Sequence, residues 1–327
     1  MKGKQVVILI SFLWCLAFFP AQVWSYTLTN GSGDGTISVG VDGYGTFGGG
    51  ATYTAGASFD PVGNATPKGD PPRIGSSVAI RFGSSGTRTF LAAGSFGGYS
   101  GLTALDATGS SPTSATSSFT FNGLQFTLVW SLSPIMSGSS QIGTVLTQAY
   151  TIQNTTQSTL AFELVRYLDA DFKYAEEASY SDDGGGLLIK NNIPLLFITD
   201  VVGGPGASYT AYVAIDAQGG TWGGYELDSY SGLLTRVQDG SALDNIITGD
   251  NNDPDSFIDN GYDVTAALRN YFSLAAGATT TYVTHTYFVS GVPNDLTPVP
   301  LPSALLLLGS GLVGLGALGL RRRRPRS

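Results

Sequence analysis

Apolar and polar residues alternate in short runs through most of this chain, and turn-forming residues separate the runs. Ser117 to Phe121 and Leu124 to Ser131 flank Asn122-Gly123, the pair favoured in two-residue hairpin turns. Gly143 to Gln153 and Thr159 to Leu168 flank a polar turn at Asn154 to Ser158. Within the latter run Leu160, Phe162, Leu164, Arg166 and Leu168 share one face, because strand side chains alternate between faces. Ser77 to Phe82 and Thr87 to Leu91 predict a hairpin around Gly83 to Gly86. Shorter strands are predicted at Thr36 to Val39, Ala51 to Thr54, Leu187 to Lys190, Leu195 to Thr199 and Tyr209 to Asp216. Thr279 to Val289 is β-branched and aromatic almost throughout, a pattern that fits a pleated, half-buried surface. Asp263 to Phe272 reads as strand or short helix, and Gly94 to Ser118 as a long loop. Many short strands with frequent turns predict an all-β fold, a β-sandwich-like body of antiparallel strands over residues 26–292.

The pattern breaks at both ends. Lys2 and Lys4 precede an apolar run from Val6 to Phe19, and small Ser25 follows, the layout of a signal peptide over residues 1–25. Such a segment implies Sec-type export machinery as a partner. Residues 293–298 read as a linker. From Leu301 to Leu320 there is no charged residue. That is roughly 20 residues, about 30 Å as a helix, enough to cross a hydrocarbon core. Pro300 and Pro302 hold the preceding stretch extended, outside the helix. Arg321, Arg322, Arg323, Arg324 and Arg326 prefer the cytoplasmic side, so a single-pass topology places the body outside the cytoplasm.

The order of proline motif, Leu/Gly-rich span and arginine cluster resembles a PEP-CTERM-type protein-sorting signal in its VPLPA-like variant. Val299, Pro300, Leu301, Pro302 and Ser303 carry the motif, within residues 299–304. Ser303 replaces the usual alanine, and Leu301 stands where the older form of the signal has glutamate. The resemblance covers residues 299–324 and implies an exosortase-type processing enzyme at the inner membrane. It also implies release or attachment at the cell surface, in bacteria that make extracellular polysaccharide.

Composition narrows what the exported body does. The single cysteine, Cys15, lies in the signal segment, so the mature chain has no internal disulfide and its core must suffice. Charged residues make up 12% of the chain and the net charge is −8, which disfavours nucleic acid as a partner. A surface poor in charge and rich in hydroxyls suits cell-surface and matrix proteins and contact with polysaccharide.

Four groups of residues offer chemistry. Asn251, Asp253, Asp255 and Asp259 fall at alternating positions of one loop, as calcium ligands do. Ser256 stands where an EF-hand needs glycine, and no glutamate closes the loop, so the expectation is an irregular calcium site or a solvated acidic turn. Asp169, Asp171, Glu176, Glu177, Asp182 and Asp183 form a second acidic stretch, readable as a solvated loop, a calcium site or paired glycosidase carboxylates. His285 is the only histidine, and without a G-x-S-x-G motif or a mature-chain cysteine it reads as a half-exposed structural residue. Trp130, Trp222, Tyr225, Tyr230, Tyr262 and Tyr271 are candidates for packing or for stacking on sugar rings. The body is therefore expected to be a structural or binding protein of the cell surface or extracellular matrix, with calcium as its candidate cofactor. A secreted carbohydrate-active enzyme or lectin is the rival reading.

Overall fold

The computed structural model describes residues 26–48, 57–63, 73–171, 183–190, 192–200, 211–250, 256–259, 261–291 and 293. The signal segment, the sorting tail 299–327 and the strand expected at Ala51 to Thr54 lie outside these residues. Among the described residues no helix is long and apolar enough to cross a membrane.

In chain order the first strands are β1 (Tyr26–Thr29), β2 (Ile37–Val41), β3 (Ala57–Phe59), β4 (Arg73–Phe82), β5 (Thr89–Phe90), β6 (Ser95–Phe96) and β7 (Tyr99–Ser100). Next come β8 (Thr108–Ser111), β9 (Ser114–Phe121), β10 (Leu124–Ser137), β11 (Ser140–Asn154), β12 (Leu160–Asp171), β13 (Asp183–Lys190), β14 (Ile193–Asp200), β15 (Ala211–Gln218) and β16 (Thr221–Ser229). The helix α1 (Tyr230–Asp239) precedes β17 (Val264–Leu274) and β18 (Thr279–Ser290).

All ladders between these strands are antiparallel. An eight-stranded sheet runs β13-β14-β15-β18-β11-β10-β9-β8, and a five-stranded sheet runs β16-β17-β12-β4-β5. Their inner faces share one core: Leu128, Trp130, Ile152 and Phe288 from the larger sheet meet Val78, Leu164, Leu168 and Phe272 from the smaller. The small sheet β1-β2-β3 adds Leu28, Val39 and Phe59 to the same core. The chain is therefore an all-β, sandwich-like body, as the alternation predicts.

Local chemistry explains the connections. Asn122 (φ 45°) and Gly123 (φ 82°) both take positive φ, as the two-residue hairpin turn between β9 and β10 requires. The turn at Asn154 to Ser158 does not make a hairpin; it carries the chain from the large sheet to the small one. Asn154, fully buried, pins this crossover: its Nδ2 donates to the carbonyls of Ser158 (2.7 Å), Leu274 (2.9 Å) and Ala275 (3.1 Å).

One expectation changes and one open alternative is decided. The stretch expected as a loop from Gly94 to Ser118 holds β6 and β7, which pair with each other, β8, which pairs along the edge of the eight-stranded sheet, and the start of β9. Asp263 to Phe272 resolves into strand β17, between β16 and β12. The helix α1 is not among the elements expected above, although Tyr230, Leu233, Leu234 and Val237 fall at helical spacing and Gly240 closes it at φ 88°. Leu233, Leu234 and Val237 pack on Ala79, Val165, Tyr167 and Ala267, the outer face of the five-stranded sheet.

Candidate metal centre

Strand β12 carries two chemistries on its two faces. Phe162, Leu164, Arg166 and Leu168 point into the shared core. Glu163, Val165 and Tyr167 point outward beneath α1, and by the same period Asp169 and Asp171 continue that outer face. Asp169 pairs with Thr265 of β17, so Asp263 comes opposite Asp171 when the register is continued by two residues. The start of α1 is tied to the same place, since Tyr230 N donates to Asp263 O at 3.0 Å.

The result is a half-buried cluster in which one oxygen each from Asp169, Asp171 and Asp263 lies within 4.8 Å of the others. Oδ1 of Asp169 is closed off from solvent and accepts no hydrogen bond. Burial, then the charges of Asp171 and Asp263, push the Asp169 carboxyl well above the usual carboxylate range. Burial also raises Asp263. The phenols around the cluster respond to it: Tyr167 and Tyr230 are raised by burial first, then by Asp169. Asp42 provides a contrast within the same protein. Its Oδ1 accepts from the backbone of Tyr44, Gly45 and Thr46, each at 2.9 Å, and its Oδ2 from Ala93 at 2.8 Å. Asp42 is satisfied by the fold itself; Asp169 is not.

Hard oxygen donors of this kind suit calcium or magnesium. Two oxygens each about 2.3–2.6 Å from one calcium ion are at most about 5 Å apart, so the 4.8 Å span fits a shared ion. Carboxylates that repel one another are drawn together by a divalent charge. Calcium takes six to eight oxygens, so waters or carbonyls would complete the shell.

The acidic stretches in the sequence fare differently. Asn251, Asp253 and Asp255 lie outside the described residues, as do Glu176, Glu177 and Asp182. Asp259 is half-buried and its backbone N donates to Gly249 O at 3.2 Å; it does not enter the cluster. Asp183 is buried at the start of β13, and its carbonyl receives Tyr262 N at 3.0 Å. The third carboxylate of the cluster, Asp263, is far from Asp169 in sequence, and no local pattern joins them.

His285 is fully buried rather than half-exposed. Its Nδ1 lies 2.7 Å from Asp216 Oδ1, and Tyr287 donates to Asp216 Oδ2 at 3.0 Å. Among the described residues Nε2 has no hydrogen-bond partner. Trp130 is wholly in the core. Tyr225, Tyr230 and Tyr262 are half-buried. Trp222 and Tyr271 are each 42% exposed, and the Arg269 guanidinium lies 5.1 Å from the centre of the Tyr271 ring. Tyr271 is at the far end of β17 from Asp263, roughly 26 Å away at the rise of a strand. Among the described residues, exposed Tyr271 and the carboxylate cluster therefore stand at opposite ends of β17.

Compared with known proteins, the chain matches no family model and no curated protein.

Proposed function

We propose that this chain is an exported cell-surface or extracellular-matrix protein with a structural or binding role, delivered by a PEP-CTERM-like sorting tail and stabilised by calcium. The tripartite tail, with Val299 to Ser303 before an uncharged span and the Arg321 to Arg324 cluster, carries the delivery part of this reading. It brings with it Sec-type export, passage through the inner membrane and processing by an exosortase-type enzyme. The calcium part moves from Asn251, Asp253, Asp255 and Asp259 to Asp169, Asp171 and Asp263. There two carboxylates of β12 and one just before β17 converge, and Oδ1 of Asp169 is closed off from solvent with no hydrogen-bond partner among the described residues. A body without disulfides gains most from such a staple, because an ion bound only by the folded state adds its binding energy to stability.

The separation of Trp222 and Tyr271 from the carboxylates favours a structural role over sugar hydrolysis. Thermal unfolding of the chain in chelator, then in rising calcium, tests the metal part. Asp169→Asn with Asp263→Asn removes the response on this reading, and Asp253→Ala with Asp255→Ala leaves it. The opposite pattern returns the site to the later loop. Mass spectrometry of surface material tests delivery: a mature chain lacking Leu305 to Ser327 is expected, and an intact tail on extracellular protein sinks the processing step.

A further inference from the structure

From Ala107 to Phe162 the chain carries no Asp, Glu, Lys or Arg, and Thr279 to Ser290 carries none either. These segments form β8, β9, β10, β11 and β18, five neighbouring strands of the eight-stranded sheet. Leu128, Ile152 and Tyr282 point into the shared core, so the residues alternating with them stand on the outer face. Register lines these outer side chains up across the strands. Ser118, Thr127, Thr151 and Thr281 form one row over β9, β10, β11 and β18. Thr120, Gln125, Gln153 and Thr279 form the next. Neighbours in a row are about 4.8 Å apart and the rows about 6.8 Å, as strand geometry sets. Thr127 and Thr151 are half-buried, and the other six are exposed. Among the described residues their side chains make one hydrogen bond, from Ser118 Oγ to Thr127 Oγ1 at 3.5 Å.

Threonine suits an exposed strand on β propensity alone. Propensity does not explain the missing charge, because charged side chains are what normally keep an exposed sheet from wrong contacts. A face this wide without one fits a partner that needs none. The core of a protein interface is rich in aromatic residues, Met and Arg and poor in Ser, and neither row holds any of the former. An acidic polymer would meet no cation here and a net charge of −8 on the whole chain. Hydroxyls and amides both donate and accept, as sugar hydroxyls do. Each such bond nets little in water, so useful affinity needs many at once, along a polymer.

We propose that the outer face of β9, β10, β11 and β18 binds an uncharged polysaccharide chain, laid across the strands along the two rows. This rests on the binding role proposed above and gives it a surface and a class of partner. The face belongs to the other sheet from Trp222 and Tyr271 and is independent of the carboxylate cluster.

The test is native electrophoresis of the full-length chain in detergent, through gels holding a neutral β-glucan, a neutral galactomannan or acidic alginate. Retardation by a neutral polymer and not by alginate is expected. Thr127→Val with Thr151→Val keeps shape and strand propensity but removes two hydroxyls, and weakens Kd about five- to a hundredfold. Gln125→Ala with Gln153→Ala, both exposed, gives the same reading if the valine pair does not fold. No retardation by either neutral polymer, equal retardation by alginate, or full affinity in both variant pairs overturns the proposal. So does a loss on Trp222→Ala that the two pairs do not share, which moves the contact to the smaller sheet. A dimer in ultracentrifugation that Thr127→Asp with Thr151→Asp dissolves, without glycan binding, overturns it in favour of a second copy. Delivery is judged separately by the mature mass, so failure on these gels leaves the exported, matrix reading standing.

Discussion

The two ends of the outer face of β12 handle negative charge in opposite ways. At one end Glu163, fully buried, accepts Arg88 Nε at 2.7 Å and Arg81 Nη2 at 2.8 Å. The same arginines close the C-terminus of α1: Arg88 donates to the carbonyls of Arg236 (3.1 Å), Val237 (2.9 Å) and Ser241 (3.0 Å), and Arg81 to Gly240 O at 2.6 Å. The last carbonyls of a helix lack partners within it, so each guanidinium there serves two needs. At the other end Asp169 and Asp263 have no cationic partner among the described residues, and burial and mutual repulsion raise the Asp169 carboxyl. One strand thus carries a carboxylate matched by the protein and carboxylates suited to an ion from outside. The lesson is that burial of a carboxylate says little; what meets it decides whether it is scaffold or site.

The largest effect expected from this contrast is at the matched end. Glu163→Ala leaves two guanidiniums without their carboxylate, Arg88 fully buried and Arg81 nearly so, and should cost about 3–5 kcal/mol, read from the denaturant midpoint. A loss below about 1 kcal/mol would mean that the helix carbonyls alone satisfy both arginines, and the contrast would collapse.

At the other end the sign is reversed in the absence of metal. The folded-state value of Asp169 is raised, so the folded protein holds its proton more tightly than the unfolded chain. The penalty for its charge is present in full above that raised value. It is relieved as pH falls towards the ordinary carboxylate range. In chelator the chain should therefore gain stability on acidification through that window, by up to about 1.4 kcal/mol per pH unit relative to Asp169→Asn. Matched unfolding curves for the two proteins that stay parallel would show that the carboxylate is relieved in another way.

Calcium supplies a smaller effect. At millimolar concentration an extracellular-type site contributes about 0.6–1.4 kcal/mol, or a few degrees in Tm for a body of this size. The rise should vanish in Asp169→Asn and persist in Glu163→Gln, provided that variant folds. Smallest of all, Trp222→Ala on the exposed edge strand should change stability by less than about 0.5 kcal/mol, because its side chain is not part of the core. If it also abolishes binding to a polysaccharide array that the unsubstituted chain binds, the lectin reading gains over the purely structural one.

Local order was legible because its causes are local. The positive-φ pair Asn122-Gly123 marks its hairpin wherever it occurs, and alternation along Leu160 to Leu168 places Arg166 on the core face before any fold is known. The absence of cysteine from residues 26–298, and the uncharged span before the arginines, are likewise facts of composition. Tertiary structure decided what depends on register between distant strands. Asp169 was visible as one of an acidic run, yet its partner Asp263 reaches it only because β17 pairs with β12. His285 had no readable partner until β15 brought Asp216 beside it. The helix α1 was legible too, since Tyr230, Leu233, Leu234 and Val237 fall at helical spacing before Gly240, but which sheet face it covers is decided by the fold. Alternation along a strand is set by backbone geometry one residue at a time, whereas which strands pair, and so which charges meet, is set by burying the whole core at once.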